Sequence, residues 1–124
     1  MDLSTFSAEI RRRTPEGTIF QNPGGGISEV VSLTADKIAY VRGTSRIYVA
    51  VDDLYRAYFE FRGEEMSSRA LRDRWPAVFD SKARPAGHSC NCTFLFRLLQ
   101  RLDFAGPIMG KGVSGDPYRV AISG

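Results

Sequence analysis

The segment from residue 87 to 102, GHSCNCTFLFRLLQRL, limits what this chain can fold into more than any other. Phe94, Leu95, Leu98, Leu99 and Leu102 recur at the spacing of one helix face. At about 100° per residue, Thr93, Arg97, Gln100 and Arg101 fall on the other face. Ser89 or Asn91 supplies a side-chain oxygen that can accept an orphan backbone N–H at the helix start. So continuous an apolar stripe makes this helix the centre of a small core. Its other face carries hydrogen-bonding groups suited to a nucleic-acid edge or a partner protein.

The rest of the chain has to cover that stripe. With 124 residues it is expected to be a single domain that buries a core without staples. Residues 1–17 are a helix or an arm. As a helix they are capped by Asp2 or Ser4, contact the core through Phe6 and Ile10, and end in Arg11, Arg12 and Arg13. Residues 18–51 are a β-meander. A short strand at 18–21 is broken by Asn22-Pro-Gly-Gly-Gly, and runs at 28–33, 37–42 and 46–51 are separated by turn residues. The glycine stretch lacks the Gly-Lys-Ser/Thr of a phosphate loop and reads as a turn.

Residues 52–122 form the second part. A helix capped by Asp52 or Asp53 carries Leu54, Ala57, Tyr58 and Phe61 inward and ends at Gly63. It is expected to cover the apolar face of the meander, with Tyr55 and Phe59 packed there too. A shorter helix at 69–74, started by Ser67 or Ser68 and turning Leu71 inward, is broken by Pro76, and a helical turn follows, with Trp75, Val78 and Phe79 expected in the core. After Leu102, residues 108–112 and 117–122 read as a β-hairpin.

Charge is distributed unevenly along the chain. Residues 1–65 hold eight Lys/Arg and ten Asp/Glu, whereas residues 66–124 hold nine and four. A basic half beside an acidic one is the asymmetry of a polyanion-binding module. No apolar run has the roughly 18 residues of a membrane span, so no membrane partner is expected. The first residues show no basic-then-apolar signal pattern, and a cytoplasmic location is the expectation.

A strand, then helix, helix, helix and a glycine-rich hairpin is an order that resembles the winged helix-turn-helix family. The resemblance covers about residues 46–122 and is one of architecture. It implies a winged-helix-like three-helix unit with a C-terminal hairpin, and with the N-terminal antiparallel meander packed on that unit the expected fold is α+β. In that family the third helix lies in the major groove and the wing reaches the neighbouring backbone. By position, Ser89, Asn91, Thr93, Arg97 and Gln100 would face bases, and Arg69, Arg72, Lys82, Arg84 and Lys111 would hold phosphates. The expectation is a non-catalytic duplex DNA-binding protein, with a regulatory role open. The alternative is a protein-interaction module or small inhibitor, with Phe96 on its partner edge. The meander could also support a homodimer.

Other constellations are weaker. Gly110-Lys-Gly-Val-Ser-Gly matches a dinucleotide fingerprint, but a strand-like tail follows it where that motif needs a helix. His88, Cys90 and Cys92 give three metal-ligand types at a Cys-X-Cys spacing, with no second cluster, so no metal or other cofactor is expected. Cys90 beside His88 has the makings of a nucleophile and base, but nothing else in the chain supplies a reaction site. The spacing also strains any disulfide between the two cysteines. Purified protein should therefore give two free thiols on titration under denaturing conditions. Elemental analysis should find no stoichiometric zinc.

Overall fold

A computed structural model describes residues 1–83 and 85–124. The fold is mixed α+β. Helix α1 (Leu3–Arg13) leads into a four-stranded antiparallel sheet, β1 (Ile19–Gln21), β2 (Ile27–Leu33), β3 (Lys37–Arg42) and β4 (Ser45–Ala50), in chain order. The chain continues through α2 (Val51–Glu60), β5 (Glu65–Ser67), α3 (Ser68–Arg74), α4 (Pro76–Phe79), α5 (Cys90–Arg101) and β6 (Arg119–Ala121). β6 returns to pair antiparallel with β5, and bridges at Ala105–Ile122 and Met109–Arg119 extend that second sheet. Among the described residues no helix is long and apolar enough to cross a membrane.

The first residues form a helix docked by its end. Asp2 accepts a hydrogen bond from the Thr5 amide at 2.8 Å, and Phe6 and Ile10 are buried. Arg13 pairs with Asp103 at 2.8 Å, while the Arg101 guanidinium donates to the Arg13 carbonyl. The residue before Pro15, Thr14, caps α1, since the α region is disfavoured ahead of proline.

The sheet is amphipathic, although Ala39 on its outer side is buried too and β2 is bulged between Val30 and Ser32. Ile38 and Tyr40 on β3 and Ile47 and Val49 on β4 face inward, with Tyr40 opposite Ile47 and Ile38 opposite Val49. Arg42 follows Tyr40 on the same face, beyond the end of the apolar core. α5 packs on this face through Phe94, and Phe59 of α2 does not pack there as expected. Tyr40 stacks on Phe94 with ring centroids 4.0 Å apart, and Phe20 meets the same ring edge-on at 5.7 Å. The aromatic contacts of α2 are elsewhere: Tyr58 stacks on Phe6 and on Phe104, and Tyr55 meets Phe6. Phe59 is half exposed, with Arg62 over its ring at 4.0 Å.

Helix starts also differ from expectation in two places. α2 begins at Val51 directly after β4, without a side-chain cap from Asp52 or Asp53. α5 has Ser89 at its cap position, but the Ser89 hydroxyl pairs with Ser81 instead. At α3 the cap forms as expected, with Ser67 Oγ accepting from the Ala70 amide.

α5 is buried on nearly every side. Phe94, Leu95, Leu98 and Leu99 are buried as its periodicity requires, and so are Asn91, Cys92, Thr93 and Phe96. The sheet lies on one side of it and the α3–α4 layer on the other. The link across this sandwich is polar. Tyr40 donates its phenol hydrogen to Asn91 Oδ1 at 2.7 Å, and Asn91 Nδ2 donates to the Val78 carbonyl at 2.8 Å. Tyr40→Phe would leave Asn91 Oδ1 buried without that donor and should cost about 1–3 kcal/mol in a denaturant titration. Leu98→Ala, at the centre of the stripe, should cost about 2–5 kcal/mol in the same measurement.

Candidate nucleic-acid interface

A groove of about 760 Å³ opens where four segments meet. Arg42 comes from the end of β3, and Ser68, Arg69, Arg72 and Asp73 from α3. Ser89, Cys90 and Thr93 come from the first turn of α5, and Ser114, Pro117 and Tyr118 from the hairpin. Three arginines face one aspartate there. Asp73 lies 4.0 Å from Arg69, whereas Arg42 and Arg72 have no carboxylate within ion-pair distance among the described residues. A guanidinium presents a planar fork of donors that suits phosphate oxygens.

The hairpin wall is held firmly. Gly112 has φ +74°, and a Cβ there would run into the Tyr118 ring. Glycine is needed at this point because the ring lies flat against the backbone. Arg119 pairs with Asp116 at 2.8 Å and with Glu65 at 3.5 Å, tying the hairpin base to β5.

The sequence-nominated residues separate into three groups. Arg69, Arg72, Ser89 and Thr93 line the groove, although the Thr93 hydroxyl is turned back onto the Cys90 carbonyl at 3.3 Å. Lys82 and Lys111 are exposed outside it, Lys111 on a neighbouring cleft across the hairpin. Arg84 lies outside the described residues.

Asn91 is committed to the fold, which corrects its assignment to a base edge, whereas Arg97 and Gln100 make hydrogen bonds within the fold and also line the neighbouring cleft with Lys111. Asn91 is 1% exposed, and both ends of its amide are used internally. Arg97 donates to the Gln21 carbonyl at 2.8 Å and to Gln100 Oε1 at 2.9 Å. Gln100 in turn donates to the Gly106 carbonyl at 2.8 Å. β1 and the segment after Leu102 come alongside the face that periodicity leaves polar, and their carbonyls take up these hydrogen bonds. Phe96 is fully buried as well, so it cannot anchor a partner protein.

Sequence reasoning missed Arg42, Ser68, Ser114 and Tyr118. The alternation Ile38, Tyr40, Arg42 was the signal for the first, since it puts the arginine on the helix-facing side of β3. Nothing local signals the others, which reach the groove through the β5–β6 pairing.

The cysteines differ in environment. Both are free thiols, Cys90 partly exposed in the groove and Cys92 buried. Burial pushes the Cys92 thiol up to about 12, a shift that the nearby Arg72 charge opposes only in part. Burial also raises the Tyr40 phenol. Among the described residues no three His, Cys, Asp or Glu side chains come together as metal ligands.

A raised thiol pKa means that the native state keeps its proton where the unfolded chain, with an ordinary thiol near 8.5, releases it. Stability from Cys92 is therefore complete below about pH 8.5 and declines as pH rises toward about 12. Urea midpoints should fall between pH 8.5 and 10, and Cys92→Ala should flatten that fall. At pH 8 a thiol reagent should modify native protein at Cys90 first, because the thiolate is the reactive form; peptide mapping reads the order.

No protein-family model, curated protein or solved structure matches the chain, so the functional reading rests on the groove.

Proposed function

We propose that the protein is a non-catalytic nucleic-acid-binding module that grips the phosphate backbone of duplex DNA in the arginine groove. The observation that carries this reading is the convergence of Arg42, Arg69 and Arg72, from two different elements, on one open concavity rimmed by hydroxyls. Paired arginines on a solvated face need not converge. Here two of the three have no partner among the described residues, and the basic excess of residues 66–124 surrounds them.

Chain order supports a winged-helix-like reading of residues 46–122. A helix, a short strand, a helical pair and a further helix are followed by a hairpin whose return strand pairs with the short one. This chain departs from the mode implied by the family in one respect. The helix in the recognition position is largely buried and packs against the N-terminal sheet, so the reading retained is of backbone rather than of base edges. A positively charged groove lined mainly by side-chain donors gives affinity without sequence choice. The protein-module alternative loses its anchor with the burial of Phe96.

Affinity for duplex DNA should fall steeply with salt through release of condensed counterions. With on the order of five phosphate contacts, log affinity against log salt should have a slope of about −4 to −5. Arg72→Gln should flatten that slope by about one unit and weaken unrelated sequences alike. Lys111→Gln should do the same if the duplex extends across the hairpin. A flat response with only millimolar affinity ends the nucleic-acid reading.

A further inference from the structure

The floor of the groove holds a side chain that the fold leaves unused. Ser68 is only 7% exposed and lines the groove, yet its hydroxyl has no hydrogen-bond partner among the described residues. Its backbone is fully engaged: the amide donates to the Tyr118 carbonyl at 2.9 Å, and its carbonyl accepts from Cys92 Sγ at 3.8 Å. The cap of α3 is made by Ser67, so the Ser68 hydroxyl is not needed there either. Asn22 Nδ2 is the only side-chain nitrogen or oxygen among the described residues that is both sealed from solvent and without a partner, so the Ser68 hydroxyl keeps contact with solvent and is open to a ligand in the groove.

The cations nearest to being free stand on either side of it. Arg72 lies one helical turn further along α3, on the same face as Ser68. Arg42 approaches from the opposite wall, at the end of the strand face that carries Tyr40. The first amides of α5 are satisfied internally: Asn91 N–H donates to the His88 carbonyl and Cys92 N–H to the Ser89 carbonyl, both at 3.1 Å. The donors available to an anion at the floor are therefore side chains.

We propose that this floor is a seat for one phosphate group, held jointly by the Ser68 hydroxyl and the guanidinium groups of Arg42 and Arg72. It rests on the nucleic-acid reading for the source of that phosphate and deepens it in one way. The N-terminal sheet, through Arg42, becomes part of the binding surface as well as a cover for α5. A tetrahedral anion with several acceptor oxygens can engage two guanidinium forks and a hydroxyl together, which a planar carboxylate does less well.

The test titrates the whole protein with inorganic phosphate while backbone and arginine side-chain NMR signals are followed. The seat predicts millimolar binding that moves Ser68, Arg42 and Arg72, and at least fivefold weaker binding in Ser68→Ala and in Arg42→Gln. Acetate moving the same signals equally would assign a carboxylate site and overturn the phosphate seat. Phosphate shifts confined to Lys82 and Lys111, or unchanged binding in both variants, would overturn it too. Duplex titrations of the same variants separate the two proposals. Phosphate bound at the floor without duplex affinity upholds the seat and ends the nucleic-acid reading. Steeply salt-dependent duplex binding that neither variant weakens, with no phosphate at the floor, ends the seat and upholds the wider reading.

Discussion

The arrangement depends on one buried amide. Asn91 sits where the sheet, the first turn of α5 and the α3–α4 layer come together, and it is nearly sealed from solvent. An amide in that position must satisfy a donor and an acceptor, and it does so in opposite directions, toward Tyr40 and toward the Val78 carbonyl. The two bonds fix α5 against both layers. The Tyr40–Phe94 stack beside them adds a large apolar contact to the same joint. A one-residue slip of β3 would carry Tyr40 to the outer face and break both at once. Because Arg42 is two residues beyond Tyr40, the same register delivers it to the groove.

The buried helix also explains why the polar residues of α5 are structural. Arg97 is a clamp with three members: it holds β1 through the Gln21 carbonyl, steadies Gln100, and through it holds the Gly106 carbonyl. Long polar side chains can run along covered apolar surface and still satisfy backbone groups that no other element reaches. Here they close the seam between the sheet and the second half of the chain.

Much of the fold was legible because local signals were strong. The strand runs of the meander, the turn residues between them, a serine at 67 or 68 ahead of α3 and the stripe on α5 all came through within a residue or two. What was not legible was non-local. β5 has three residues and no pattern of its own, and it exists because β6 pairs with it. The one-sided reading of α5 failed because periodicity identifies the most apolar face without telling whether a second layer covers the other. Asn91 looked like a cap residue and is a buried connector. For the groove, the basic excess of residues 66–124 pointed to the α3 wall, but the far wall, Arg42, belongs to the part of the chain with the acidic balance.

The pairing of Glu65–Ser67 with Arg119–Ala121 has a kinetic consequence. These partners are separated by α3, α4 and α5, so loop-closure entropy must be met before the ladder gives anything back. The helices and the hairpins of the first sheet rest on neighbouring residues and can form early. The wall that carries Tyr118 and Ser114 can lock only after the final strand has come home. In a chain emerging from a ribosome, the half-finished fold therefore has its cations in place before it has the cleft that would organise them.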